Sequence, residues 1–250
     1  VAVLTAGVDV QVDRFALQVI GWGPGLERWV VDWRAIPGDP KRPETQAALL
    51  EAIRTPYRHA SGRPMRILGT CFDSGYETDM VYAFCAAHWS ADRVWPTKGS
   101  AGHAGKPVVY KRGDRKPGRL LAPFLVNVDD AKASILAGLT ATEPGPGFMH
   151  LSETVCDESY LSELTAEHRE VQQNKSGVAV RQVWVQDRAN EALDTAVLCL
   201  AALHVLGGTN PAAYVRRQAD AVAAALSSSA AAPEPTVRTE RRVARSKYLG

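Results

Sequence analysis

VAVLTAGVDV, Val1 to Val10, is the stretch on which the reading of this chain turns: an apolar, strand-like run that delivers a carboxylate, Asp9, at its end. A strand that otherwise buries its residues has no cheap place for a lone acid unless a metal or a base answers it. A second strand-like run, Arg66 to Phe72, does the same and delivers Asp73 in CFDSG. A third acid, Asp194, lies in NEALD, Asn190 to Asp194, at the start of a long apolar helix. Two strand carboxylates and one helix carboxylate, far apart in sequence, are what an α/β fold needs to build a divalent-metal site for phosphodiester hydrolysis.

Working outward, Val3 to Val10, Phe15 to Trp22 and Arg28 to Ile36 are β-rich runs with short connections, and they predict an antiparallel meander. Pro43 opens an amphipathic helix that ends near Pro56, followed by the Arg66 to Phe72 strand, a helix from Glu77 to His88 and a strand from Arg93 to Thr97. Leu120 to Val128 reads as a strand and Asp129 to Leu139 as a helix capped by Asp129 or Asp130. EPGPG, Glu143 to Gly147, is a turn before a short strand at Phe148 to Leu151, and Asp157 to Leu164 is helical. Glu167 to Gln172 and Val178 to Val185 are expected to pair across the NKSG turn at Asn174 to Gly177. The helix Asn190 to Leu206 stops at Gly207 and Gly208, and an Ala-rich helix runs from Pro211 to about Leu226. This order predicts a mixed sheet with helices on its faces.

The chain has 250 residues, 46% of them hydrophobic and 22% charged, enough apolar material for one substantial core. It opens on Val with no leader-like pattern, so it reads as a segment of something longer. Two units are expected: a domain over residues 1–210, then a C-terminal helix and flexible basic tail over 211–250. SSSAAAPEPT reads as a linker and the Arg-rich end, Arg238 to Lys247, as disordered. No apolar run reaches the length of a membrane span. The four cysteines form no close pair, and although Cys85 and His88 have a ligand-like offset, no second pair accompanies them to make a zinc site.

The formal charge of +2 does not announce a polyanion partner, but its distribution is uneven. Lys98, Lys106, Lys111, Arg112, Arg115, Lys116 and Arg119 face a single acid, Asp114, in a Gly- and Pro-broken stretch. This is either a solvated flap or a loop that contacts phosphates. Two decoys fall away. GWGPG, Gly21 to Gly25, is followed by a strand-like run, so it is a hairpin turn. KGSAGHAGK, Lys98 to Lys106, has the wrong glycine spacing for a phosphate-binding loop, and Pro107 stands where Ser or Thr is required.

Hydrolysis of a phosphodiester needs a nucleophile at neutral pH and charge stabilisation, tasks that two divalent ions about 4 Å apart perform together. Carboxylates are the hard ligands for Mg²⁺ or Mn²⁺. Glu191 and Asp194 are three residues apart on one helix face, with Asn190 as the expected N-cap; apolar Leu193, Val197 and Leu200 surround Asp194, which is expected to face the sheet. Ser74 and Gly75 also suit Asp73 to a turn, and the residues alone leave that alternative open.

GVDVQ at Gly7 to Gln11, GWG, IPGDP at Ile36 to Pro40, FDSG at Phe72 to Gly75, KGS at Lys98 to Ser100, EPGPG and NEALD occur in an order that resembles the C-terminal nuclease domain of the terminase large subunit of lambda-like tailed phages. The resemblance implies a ribonuclease H-like fold and an endonuclease that cuts concatemeric double-stranded DNA with two divalent ions, Mg²⁺ or Mn²⁺. It implies that Asp9, Asp73 and Asp194 bind the metals, with Glu191 a secondary candidate, and that Lys98 contacts the scissile phosphate; Lys106, Lys111, Arg112 and Arg115 are the further DNA-binding candidates. An ATPase motor upstream in the same polypeptide, a small terminase subunit, the portal or procapsid, and the cytoplasm of an infected bacterial host are implied by the same resemblance. Many nucleases of this fold carry Glu where this chain has Asp73. Competing readings are a transposase- or resolvase-type nuclease of the same fold, and a non-catalytic module that binds DNA or the portal.

Overall fold

The computed structural model describes residues 1–103, 105–173 and 179–230. Strands β1 (Val3–Val10), β2 (Arg14–Trp22) and β3 (Arg28–Pro37) form the expected antiparallel meander, and a single 3-10 turn at Pro24–Leu26 closes the second hairpin. Helix α1 (Pro43–Arg54) and a two-stranded hairpin, β4 (Tyr57–Arg58) with β5 (Pro64–Met65), lead to β6 (Ile67–Asp73). Then come α2 (Thr78–His88), β7 (Val94–Ser100), β8 (Val109–Arg112), β9 (Phe124–Asn127) and α3 (Val128–Thr140). β10 (Met149–His150) and α4 (Glu158–Leu164) precede a separate ribbon of β11 (Glu167–Gln173) and β12 (Ala179–Gln186). Helices α5 (Glu191–Gly207) and α6 (Pro211–Ala230) complete the described chain.

Eight strands make one mixed sheet in the order β10-β3-β2-β1-β6-β7-β9-β8. β1, β6, β7 and β9 are parallel neighbours, so their carboxyl ends lie at one end of the sheet. This is a mixed sheet flanked by helices, the architecture that the resemblance implied.

The period of two along each strand sorts the core into two layers. Leu4, Ala6, Val8, Val10 and Phe72 point to one face, with Leu49, Ile53, Val81 and Phe84 of α1 and α2. Val3, Ile20, Trp22 and Cys71 belong to the other cluster, which α5 dominates. α5 buries eleven consecutive or near-consecutive residues between Ala192 and Leu203, which explains why its sequence is apolar all round. At about 1.5–3 kcal/mol for each fully buried large aliphatic side chain, this helix is the main cohesive element of that face.

Three expectations need correction. The cap of α3 is Asn127, whose side chain accepts from the Asp130 amide, because β9 runs straight into the helix and Val128 is already helical. Strand β9 starts only at Phe124, after Pro123, and the basic stretch contributes an edge strand, β8, that its Gly and Pro residues concealed. Asn190 occupies the N-cap position of α5 but makes no capping bond, since its Oδ1 accepts from Gln186 and its Nδ2 donates to Glu167. The NKSG turn and the Arg-rich tail lie outside the described residues.

Candidate functional site

Strand parity and the parallel register bring the acids together. Asp9 shares a strand face with Thr5 and Gly7, both of which meet α5: the Thr5 hydroxyl donates to the Cys199 carbonyl at 2.8 Å, and a β-carbon on Gly7 would collide with the Thr195 carbonyl. Val8 lies beside Phe72 in the parallel pairing, which places Asp9 and Asp73 at the carboxyl ends of adjacent strands. On α5, Thr195 bonds to Gln18 of β2 at 2.8 Å, and Gln18 in turn donates to the buried Tyr160 hydroxyl at 2.6 Å. That buried polar chain fixes how far α5 slides along the sheet. Asp9, Asp73 and Asp194 consequently line one cavity of about 170 Å³, whose other walls are Gly99, Val126, Val128, Val197 and Leu198.

Each carboxylate is raised in pKa. Burial, and then the charges of Asp73 and Asp194, push Asp9 up to about 7 against bonds from Gln11 and the Val10 amide that favour its anion. Asp73 is raised by burial, opposed by amides of Gly75 and Ser74 and by the charge of Lys98. Asp194 is raised by burial and by Glu167 and Asp73, opposed by Lys132. Its side chain keeps 41% of its exposure. Buried acids gathered at one cavity, two of them raised further by the charge of Asp73, are placed where a cation would be welcome.

The acids differ from a closed chelate in one respect. Among the described residues no group of three or more His, Cys, Asp or Glu side chains is gathered tightly enough to hold a metal ion. Their oxygens are turned to protein donors: Asp9 accepts from the Val10 amide and from Gln11 at 2.6 Å, Asp73 accepts from the Gly75 amide at 2.9 Å, and Asp194 faces Lys132 and Asn190. The fit to a hard divalent ion therefore lies in the oxygen donor set, its shared cavity and its mutual repulsion.

Of the other sequence candidates, Lys98 on β7 is exposed and close enough to Asp73 to lower its pKa. Glu191 is not on the cavity wall; its carboxylate is held by Arg14 at 2.5 Å. Lys106 reaches over the Tyr110 ring at 5.8 Å and Lys111 lies exposed on edge strand β8. Arg112 lies over Phe124 at 4.1 Å and Trp89 at 4.8 Å, so it is tied to an aromatic cluster, and Arg115 is exposed in the following loop. Sequence reasoning missed Lys132, Glu167 and the true role of Asn190. Lys132 is the only basic side chain on α3, a signal that was readable but had no partner until the fold supplied one.

Comparison with known proteins points to one family. Residues 1–213 match the sequence model of the family described as terminase large subunit gpA, endonuclease domain. The terminase large subunit of Escherichia phage lambda is 37% identical over 216 residues, covering 82% of this chain and 32% of that protein. That of Enterobacteria phage P21 is 35% identical over 213 residues, covering 82% and 33%. The chain thus spans about one third of the length of these relatives. Among solved structures, a mutant nuclease domain of the large terminase subunit gp2 of bacterial virus Sf6 with manganese aligns at a TM-score of 0.45 and 10% identity, covering 79% of this chain and 88% of that one. The corresponding structure with calcium aligns at 0.45 and 11%.

Proposed function

The chain belongs to the family of the terminase large subunit gpA endonuclease domain, and from that premise we propose that it is a divalent-metal-dependent endonuclease that cuts concatemeric double-stranded DNA during viral genome packaging. The observation that carries this reading is the convergence of Asp9, Asp73 and Asp194, from two strands and a helix, on one cavity at the carboxyl end of the sheet.

In this reading Asp9, Asp73 and Asp194 hold two ions, Mg²⁺ or Mn²⁺. When bound, such ions supply an activated water and neutralise charge at the phosphate under attack. The protein's own part is positional. Gly75 leaves room for the Asp73 carboxylate, since a β-carbon there would come within 2.9 Å of its oxygen. Ser74 donates to the Thr97 carbonyl at 2.7 Å and Thr97 to the Phe72 carbonyl at 3.0 Å, which stiffens the strand end that presents Asp73. Gly99 keeps the next strand end open beside Val128. Lys98 offers a cation to a phosphate oxygen, and Lys106, Lys111 and Arg115 supply the sequence-independent attraction to the DNA backbone. Arg14 holds Glu191 away from the cavity, so the part left to Glu191 is to orient the start of α5.

The nuclease unit comprises residues 1–210, with residues 211–250 as an appended element. An upstream ATPase motor in the same polypeptide, a small terminase subunit and the portal or procapsid are the proposed partners, and the host bacterial cytoplasm is the proposed place of action. Among the described residues no single helix is long and apolar enough to cross a membrane. The commitment of all three carboxylates to protein donors favours one second reading, a DNA- or portal-binding module whose acids are structural.

Cleavage of supercoiled plasmid with Mn²⁺ or Mg²⁺, with and without EDTA, tests the proposal against folded Asp9→Asn and Asp73→Asn variants. Metal-dependent nicking lost in both variants is expected; equal activity in wild type and variants would remove the cavity from the reaction.

A further inference from the structure

Lys132, on α3, reaches Asp194, one of the walls of the carboxylate cavity. Its Nζ lies 2.5 Å from Glu167 Oε1 and 3.3 Å from Asp194 Oδ1, and its side chain is only 12% exposed. Glu167, at the start of β11, is 4% exposed. Asn190 completes the group: its Nδ2 donates to Glu167 Oε1 at 2.6 Å and to Asp194 Oδ2 at 3.0 Å. Three elements, α3, β11 and α5, therefore meet in a clasp of two carboxylates, one ammonium and one amide, and each Asp194 oxygen faces a donor.

Glu167 is a full partner for Lys132, so the ammonium does not depend on Asp194 for its neutralisation. Its approach to Asp194 sets a positive charge beside a cavity that Asp9, Asp73 and Asp194 line together. A divalent ion taken by Asp194 would have to stand beside that ammonium, and like charges a few ångströms apart in a partly desolvated cavity repel strongly. The Lys132 contact and the ion would also draw on the same Asp194 carboxylate.

We propose that Lys132 is a built-in counter-cation of the carboxylate cavity, held by Glu167 and leaning on Asp194, and that it weakens the binding of a divalent ion there. The proposal rests on the reading of the cavity as a divalent-cation site. Glu167 and Asn190 are the positioning residues: they keep the ammonium at hand when an ion displaces it from Asp194. Cation occupancy of the site is then low until a second source of negative charge, such as a DNA phosphate, arrives to tip the balance.

Mn²⁺ binding to the whole chain, followed by the electron paramagnetic resonance of free Mn²⁺, tests this without recourse to cleavage. Lys132→Met should bind Mn²⁺ roughly tenfold more tightly than wild type, equivalent to about 1.4 kcal/mol, and Lys132→Arg should bind like wild type. Unchanged or weaker binding by a folded Lys132→Met protein would overturn the proposal and leave the clasp a structural one. If the unpaired Glu167 prevents that variant from folding, Lys132→Met with Glu167→Gln removes both charges, and a dissociation constant no tighter than wild type's overturns it equally. Loss of Mn²⁺ binding in Asp9→Asn together with tightening in Lys132→Met supports both readings. Absence of binding in wild type and in Lys132→Met alike would sink the cavity reading itself, and the counter-cation with it.

Discussion

A β-carbon on Gly7 would stand 2.2 Å from the carbonyl oxygen of Thr195, so the backbone of α5 lies directly on β1 at this point. Asp9 comes two residues later on the same strand face, and Asp194 precedes Thr195 on the helix. One side-chain-free contact therefore sets the spacing between two of the three acids. Because the obstacles are the Thr195 carbonyl and the Cys199 amide as well as the Leu198 β-carbon, a methyl group cannot be absorbed by a rotamer change. Gly7→Ala is expected to cost about 2–4 kcal/mol and to lower the thermal midpoint by several degrees. Its folded fraction should bind Mn²⁺ more weakly. A melting midpoint within about 2 °C of wild type would contradict the close approach.

The Asp9 carboxyl gives the metal-free protein a pH dependence of definite sign. Its pKa is about 7 in the folded chain, raised first by burial and then by Asp73, against 3.8 as its ordinary value. The folded state therefore binds a proton that the unfolded state has released. The contribution is fully present below pH 3.8 and is lost as pH rises through 7. Asp73 and Asp194, also raised, act in the same direction. In EDTA, unfolding free energy should fall by on the order of 2 kcal/mol between pH 5 and 8, after discounting for water in the cavity. Asp9→Asn should flatten much of that slope and stabilise the metal-free protein at pH 8. Denaturant titrations at four pH values decide it, and a slope of opposite sign would show that the acids are ionised at little cost.

Lys98 and the acids should separate by the size of their effects. Substitution of Asp9, Asp73 or Asp194 by Asn is expected to cut plasmid nicking by at least about 10³-fold, because in the proposed site each would remove a ligand of the ions. Lys98→Ala should cost about 10- to 100-fold and leave Mn²⁺ affinity close to wild type, since in the proposed site it would meet the phosphate alone. Initial nicking rates, with Mn²⁺ binding measured on the same proteins, check both halves. A Lys98 variant that loses metal as Asp73→Asn does would move the lysine from the phosphate to the cavity frame.

Arg112 and Lys111 are sequence neighbours with different work. Arg112 lies across Phe124 and Trp89, and burial there lowers its pKa, whereas Lys111 points from the edge strand into solvent. Arg112→Ala should destabilise the fold by about 1 kcal/mol through lost stacking and alkyl packing. Lys111→Ala should leave stability unchanged but reduce the salt dependence of DNA binding by about one unit of log–log slope. Fluorescence anisotropy on a DNA duplex at several salt concentrations separates the two; an equal slope change in both variants would return Arg112 to the DNA-contacting set.

The three aspartates were legible because each interrupts an apolar pattern where an acid is expensive, and the parallel strands then bring two of them side by side. Gly7 was legible only as part of GVDVQ, since nothing local says that a helix backbone far along the chain will touch it. Lys132, Glu167 and Asn190 were not legible as a group. They come from α3, β11 and α5, and no spacing rule connects elements that meet only after the sheet has formed. The edge strand β8 was hidden for another reason. The Gly and Pro residues around it, with its own lysine and arginine, mark it as loop, and only pairing with β9, at Arg112 opposite Phe124, makes it a strand. Such charged, short edges are how sheets avoid joining other sheets.

Asn127 is fully buried at the junction of β9 and α3, and it organises the loop that carries Lys106. Its Nδ2 donates to the carbonyls of His103 and Lys106 at 2.9 Å each and to Asp130 at 3.0 Å, while its Oδ1 caps α3 through the Asp130 amide. Asp129 and Asp130 complete the hold by accepting from the amides of Gly102 and Gly105. Asn127→Ala should therefore lose the cap and leave two part-buried carbonyls without their donor, at a cost of about 2–4 kcal/mol. Asn127→Asp discriminates between these roles. It keeps an acceptor for the cap but turns a second oxygen toward two carbonyls and a carboxylate. If the cap were all that mattered, Asp would be tolerated; if the loop contacts matter, Asp is as damaging as Ala. The latter is expected, with faster amide exchange at Gly102, Gly105 and Lys106 in both variants and weaker DNA binding at low salt. A wild-type exchange pattern in Asn127→Asp would reduce the residue to a helix cap.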